Sequence, residues 1–277
     1  MFVPVALPRS PVVVMATILL VLGACKDEDA APATDPAPAE TPSPVIEIVP
    51  APVLDRTGLL EAMDAAATDY ASGQAGSSAV LAGRRFVVRQ AFGCRGPVTP
   101  PAEGAANSGL AAWSWGDRRQ SQKLILAPAD WTTSPLIAGG AESWEGADGL
   151  WLARPWLRSE ACPARADGAQ VGEETTASPQ VMGLAAVFEK AESRLGRRNG
   201  RAYEFTVRSR DDAALAVPAD GYRVVFEGRM TAFADGRTIH CRATSPDQRP
   251  VCIGAVQLDR VAFEDSEGKG LSEWRGG

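Results

Sequence analysis

Apolar residues first recur at helical spacing in residues 54–72, where Leu59, Leu60, Met63, Ala66, Ala67 and Tyr70 fall on one stripe. Asp55 stands where a helix needs a cap and Gly73 lies just past its end, so an amphipathic helix is predicted here. The period then changes. Residues 84–92, RRFVVRQAF, read as a strand closed by Cys94, and residues 110–115, 123–126 and 149–156 are short β-like runs separated by Gly, Pro and Asp. Residues 181–192 have a spacing that permits a helix, but Gly183 and the Val/Phe content favour a strand. Farther on, residues 222–233 and 237–242 flank Asp235-Gly236, a dipeptide that accepts the positive φ angles of a tight hairpin. A second turn over residues 245–250 leads into residues 251–264, so three antiparallel strands are expected in succession. If that turn is symmetric about Pro246 and Asp247, residues whose numbers sum to 493 face each other, which sets Cys241 opposite Cys252 within disulfide reach. The expected fold class is α+β, mainly antiparallel β with an N-terminal helix.

The N-terminal apolar run obeys a different rule. Residues 11–22, PVVVMATILLVL, follow the lone charge of Arg9 and fall short of the roughly 20 residues a membrane-spanning helix needs, so they read as a signal peptide. The run ends in Leu22-Gly23-Ala24-Cys25, which resembles the lipobox of bacterial lipoproteins: an aliphatic residue, two small residues and a cysteine. The resemblance implies that the Cys25 thiol receives a diacylglyceryl group, that the chain is cut before Cys25, and that the new amine is acylated, palmitate being the typical chain. Small side chains at Gly23 and Ala24 would let an extended backbone enter the peptidase while Leu22 fills an apolar pocket. One acyl chain gives a membrane association constant of only about 10⁴ M⁻¹, whereas two or three hold a protein durably. Lys26 in place of Asp after the cysteine implies, by the same resemblance, the outer rather than the inner membrane. The expected address is the bacterial cell envelope, lipid-anchored and facing the periplasm.

Three segments follow: 1–24 signal peptide, 25–52 lipidated cysteine and tether, 53–277 a single globular domain. The tether is rich in Pro, Ala and acids, a composition that favours disorder and extended polyproline II at about 3.1 Å per residue. Its apolar patch at residues 45–49 could serve as a docking strand or an edge strand of the domain itself. The chain's net charge is -6; less +1 for Arg9 and less -5 for the tether, this leaves -2 for residues 53–277. A nearly neutral domain in an acidic chain lacks the cationic surface that nucleic acid requires, so nucleic acid is excluded as a partner. With Cys25 given to lipid, Cys94, Cys162, Cys241 and Cys252 remain, an even number suited to disulfides in an oxidising compartment. Four cysteines allow three pairings, and the hairpin register selects Cys241 with Cys252 and hence Cys94 with Cys162. There is no C-x-x-C pair and a single histidine, so no metal site and no cofactor is expected.

Candidate chemistry is sparse. No G-x-S-x-G elbow, P-loop or dinucleotide-binding glycine pattern occurs, and His240 sits mid-strand beside a cysteine, where a place on the surface or in a pocket wall is expected rather than the role of a base. Ser266-Glu267-Gly268-Lys269 matches S-x-x-K without companion motifs, in what reads as a glycine-containing tail. The acidic neighbours Glu142 with Glu145, Glu173 with Glu174, Asp211 with Asp212, and Glu264 with Asp265 offer carboxylates in pairs, but their expected role is solvated loop charge. Residues 193–201 hold the one basic cluster, Arg194, Arg197, Arg198 and Arg201, which reads as a solvated turn able to meet phosphate or acidic glycan. Six of the seven tryptophans fall within residues 113–156, with Trp113 and Trp115 on one strand face. Core packing is the first expectation for these rings, and a ligand platform of Trp113, Trp115, Trp151 and Trp156 is the alternative.

GRRFVVRQAFGC at residues 83–94, GRAYEF at 200–205 and the closing cysteine hairpin look similar to uncharacterised envelope proteins of sphingomonad-type alphaproteobacteria. That resemblance implies an address and supplies no activity. The function expected is a non-enzymatic, membrane-anchored binding or scaffolding module, with glycan or an envelope protein as partner. A carboxylate-based hydrolase of envelope glycan or peptide is the alternative.

Overall fold

Asp55 starts the helix as its position predicts: its side chain accepts from the Gly58 N–H at 2.8 Å, and α1 runs Arg56–Ala71 in a computed structural model of the chain. The structure describes residues 51–74, 78–102, 104–137, 144–164, 179–189, 198–211 and 213–276. Cys25, the signal segment, the tether up to residue 50 and the apolar patch at 45–49 lie outside them. One face of α1 buries Leu59, Leu60, Met63 and Ala67. The strands among the described residues are β1 (Arg85–Phe92), β2 (Ala111–Trp115), β3 (Ser121–Leu126), β4 (Ala129–Asp130), β5 (Trp144–Trp151) and β6 (Met182–Glu189). They continue with β7 (Tyr203–Arg208), β8 (Tyr222–Met230), β9 (Ile239–Arg242), β10 (Val251–Asp265) and β11 (Gly270–Arg275). The protein is thus mainly β with one helix near the start of the described chain, and residues Val49–Gly277 form one compact unit.

The long β10 is the spine. Along one edge it pairs antiparallel first with β9 and then with β8; along the other it pairs parallel with β6 and then antiparallel with β11. β1 adds to β8, and β5 and β4 extend beyond β6, giving an eight-stranded sheet; β2, β3 and β7 form a separate three-stranded antiparallel sheet. Where β10 is flanked on both edges, residues 252–256 are buried on both faces. Cys252 and Val256 join the core with α1, Trp113 and Leu124, while Ile253 and Ala255 face a second cluster of Trp131, Ile137, Trp144 and Phe233. β6 is divided in the same way, with Met182, Leu184 and Ala186 toward the first cluster and Ala185 and Val187 toward the second.

Several expectations need correction. The large sheet is mixed rather than antiparallel throughout, because Cys252 lies beside Met182 and Val256 beside Ala186 in parallel register. The turn at Asp235-Gly236 exists, with Phe233 N–H donating to the Arg237 carbonyl at 2.7 Å, but β8 and β9 do not form a hairpin with each other. Both run along β10 instead, where each gains a longer partner. The run expected at 149–156 begins earlier, as β5; Leu152 N–H still donates to the Met182 carbonyl of β6 at 2.9 Å, and residues 153–158 are no longer strand. The glycine-containing tail folds back as β11, capped by Asp265, whose Oδ1 accepts from the Glu267 and Lys269 N–H groups. The strand expected over 181–192 is present as β6 to Glu189, and residues 190–192 are outside the described part.

Both disulfides are formed. Cys241 and Cys252 face each other across β9 and β10 with Cα atoms 4.1 Å apart, and Cys94 joins Cys162 at 5.5 Å across 68 residues of chain. Among the described residues no helix is long and apolar enough to cross a membrane.

Arg56, the first residue of α1, is only 2% exposed. Its guanidinium donates to the carbonyls of Leu157, Ala153 and Arg154 at 3.0, 2.7 and 3.1 Å and approaches Gln90 Oε1 at 3.4 Å. Burial, and then the neighbouring Arg154, pull its pKa down to about 10. Neutral acceptors therefore carry a buried cation and bend residues 152–158 around the helix start. Arg56→Met strands those carbonyls and is expected to lower stability by about 2–4 kcal/mol, read as a drop in urea midpoint at constant slope. A loss below about 0.5 kcal/mol, typical of a surface change, would refute this anchoring role.

Candidate functional site

The tryptophans occupy the molecule in three ways. Trp113 is fully buried and meets Trp115 edge-on at 5.0 Å and Tyr222 at 6.2 Å. Gly93, at φ +70°, leaves room for it: a Cβ there would stand 2.3 Å from Trp113 Cδ1. Trp131 lies over Gly149 and Gly183 on the adjacent β5 and β6, where added Cβ atoms would come within 2.2 and 2.6 Å of its ring. Trp151 packs on Trp131 at 4.6 Å, Trp144 on Phe233 at 5.4 Å, and Trp156 is 61% exposed. Trp113 and Trp115 do share a strand face, as expected. A platform of Trp113, Trp115, Trp151 and Trp156 is not formed, since Trp113 is sealed in the main core, Trp115 and Trp151 are half-buried, and Trp156 stands out alone. The physical reason is close packing: Gly93, just past β1, admits the Trp113 ring into the core, and Trp151 packs edge-on against Trp131.

His240 lines a cleft of about 470 Å³ between the end of α1, the loop at 131–137, the turn at 233–237 and β9. Its Nδ1 is 3.0 Å from the Leu136 carbonyl, its Nε2 is 3.0 Å from Asp235 Oδ1, and its ring stacks on Phe233 at 3.7 Å. Burial pushes the Asp235 carboxyl up, but hydrogen bonds from His240 and the Arg237 N–H outweigh it and hold it below the usual range. With one ring nitrogen at the Leu136 carbonyl, the other at Asp235 and its face on Phe233, His240 ties three segments together. The pocket-wall role expected for His240 thus takes a definite form, a clasp.

Of the acidic pairs, only Glu264 with Asp265 lies wholly within the described residues, and neither carboxylate lines a cleft. Glu264 is buried against Arg89 at 3.4 Å and Asp265 caps the β10–β11 turn. Glu142, Glu173, Glu174 and Asp212 lie outside the described residues. Among the described residues no three His, Cys, Asp or Glu side chains gather as a metal site.

A second cleft, of about 250 Å³, opens where the turn before β7 meets the β10–β11 hairpin. Asn199 and Gly200, at φ +51° and +75°, make that turn tight, a conformation the Asn-Gly pair accepts. Arg198 and Arg201 are locked across it: Arg198 Nε donates to the Arg201 carbonyl at 3.3 Å, and Arg201 Nε donates back to the Arg198 carbonyl at 3.2 Å. Arg198 also donates to the Ala202 carbonyl at 2.5 Å and lies 4.8 Å over the Tyr203 ring. The opposite wall is built by strand register. Arg260 faces Arg275 across the hairpin and Glu227 across β8, with Val261 beside Trp274. Arg260 contacts Glu227 at 2.5 Å and Glu273 at 2.8 Å, and Arg275 shares Glu273 at 3.1 Å. Burial lowers the Arg260 pKa, but these carboxylates more than restore it. Trp274 is half-buried, edge-on to Tyr203 at 5.2 Å and Phe263 at 5.4 Å. Arg198 and Arg201 of the basic cluster thus supply one side of this site, and Arg194 and Arg197 lie outside the described residues. Tyr203, Arg260, Trp274 and Arg275 were not apparent as a group, since only the folding back of β11 brings them beside Arg198.

The chain matches no family model, no curated protein and no solved structure.

Two of the three tyrosines are pushed up to about 12, Tyr203 by burial and then Asp148, against the opposing Arg198, and Tyr222 by burial and then Asp265. A phenol raised from 10.0 contributes stability that is full below pH 10 and lost as pH rises toward 12. Alkaline titration at 295 nm should show two late-ionising phenols, absent from Tyr203→Phe with Tyr222→Phe; ionisation of all three together near 10 in the folded chain would contradict it. Gly149→Ala should displace Trp131, cost about 1–3 kcal/mol and red-shift tryptophan emission. An unchanged spectrum and midpoint would mean that the sheet does not need that glycine.

Proposed function

We propose that the protein is a lipid-anchored lipoprotein of the bacterial cell envelope, held by Cys25 and facing the periplasm, whose folded region is a non-enzymatic binding or scaffolding module. The single observation that carries this reading is the disposition of the cysteines. Four of the five are joined in two disulfides, one in direct cross-strand register and one closing a long loop. Such bonds persist in exported proteins and are rare where glutathione keeps thiols reduced. Cys25 is the fifth, and it closes a motif resembling a lipobox after a signal-like apolar run. A second chain or third acyl group on it would make anchoring durable.

A binding rather than catalytic role is supported by the use of the polar groups near each cleft. In the 470 Å³ cleft His240 spans two acceptors, and in the 250 Å³ cleft Arg260 is held by Glu227 and Glu273. The Arg–aromatic cleft offers donors and ring faces, the chemistry of recognition. Cells producing the full chain with an alkyne palmitate analogue should give a labelled protein whose mature terminus is Cys25, and Cys25→Ala should abolish the label and leave the chain uncut. Absence of label, or label that survives Cys25→Ala, would overturn the anchoring.

A further inference from the structure

Arg198 and Arg201 enter the 250 Å³ cleft with backbone carbonyls as their hydrogen-bond partners, and among the described residues no carboxylate pairs with either, Asp148 acting only from farther off on Tyr203. Across the cleft the charges are already matched in part: Glu227 and Glu273 serve Arg260, and Glu273 also serves Arg275. Among the described residues, four guanidiniums meet two carboxylates in direct contact, which leaves a local surplus of positive charge in a folded region whose formal charge is -2. The surplus is ordered, because the reciprocal Nε bonds of the turn fix both arginines and, among the described residues, leave the two Nη groups of Arg201 uncommitted. That fork matches the planar, two-oxygen edge of a carboxylate or phosphate.

The rest of the wall argues against a bare inorganic anion. Trp274, Phe188 and the stem of Leu258 line the same cleft, and Trp274 is half-exposed to it. An apolar and aromatic wall gains nothing from a fully hydrated ion, but it packs against the C–H face of a sugar ring. The volume is below the roughly 300–1,000 Å³ that encloses a drug-sized ligand, which suits one unit of a longer polymer. We propose that this cleft binds an acidic saccharide, a sugar ring bearing a carboxylate or phosphate, with the anion on Arg201 and Arg198 and the ring against Trp274. The proposal rests on the binding-module reading above and names its ligand class.

The test is calorimetric titration of the full-length protein in detergent micelles with trigalacturonate, glucose 1-phosphate, maltotriose and inorganic phosphate. At least one acidic sugar should bind about tenfold more tightly than both maltotriose and inorganic phosphate, and whichever binds identifies the anion. Arg201 is exposed, so Arg201→Ala should fold normally and weaken binding by about tenfold, with Arg201→Lys intermediate because the charge stays but the fork is lost. Trp274→Phe keeps a ring in the core and should weaken the acidic sugar while leaving its salt dependence unchanged. Inorganic phosphate or maltotriose binding as tightly as the better of the two acidic sugars, no binding by any probe, or full affinity in Arg201→Ala would each overturn the proposal. Saccharide binding by a chain that carries no lipid would leave this site standing and remove the anchoring; a lipid-labelled chain that binds no probe would do the reverse.

Discussion

Backbone pairing along β10 is the constraint on which the rest depends. A strand of 15 residues can serve two different partners on each edge, and here β9 and β8 share one edge while β6 and β11 share the other. Every carbonyl and N–H so paired is removed from water at no net loss. The half flanked by β9 and β6 is buried on both faces and carries the Cys241–Cys252 bond; the half flanked by β8 and β11 carries the charge ladder of Glu227, Arg260 and Arg275. Between its two buried stretches, 252–256 and 261–264, the strand opens only over residues 257–260, at the bulge between Leu258 and Arg260.

A sheet covered on both faces needs packing units on each side, and the indoles provide them. Trp113 fills the side shared with α1, and Trp131 fills the other, each against glycine where a Cβ would collide. Tryptophan clustered in sequence thus became tryptophan divided between two cores. Arg56 works similarly as a polar core element: its bonds to three carbonyls hold the segment after β5 against the helix start. Buried polar groups of this kind hold geometry only while every partner is satisfied.

The two clefts differ in what their polar groups are free to do. Around His240 each nitrogen is matched to an acceptor, so that region joins loop, turn and strand. Around Arg198 and Arg201 the matching is incomplete, with guanidinium edges in excess of carboxylates. Recognition sites are built from this second condition, because a ligand contributes free energy only where it completes a contact the protein has left open.

Local signals decided the features that depend on neighbouring residues alone. The helix start at Asp55, the strands at Arg85–Phe92 and Ala111–Trp115, and the opposition of Cys241 to Cys252 all follow from spacing and turn symmetry. The ambiguity over β6 also has a local cause: a strand buried on both faces shows a continuous apolar run, which has neither a two-residue nor a helical period. Pairing between distant segments was not legible, because any two strands of suitable length satisfy the same period. So the parallel register of β6 with β10, the separation of β8 from β9, and the return of β11 belong to tertiary structure alone. The acidic-saccharide cleft belongs there too, since Arg198 and Trp274 are brought together by the path of the chain rather than by their places in it.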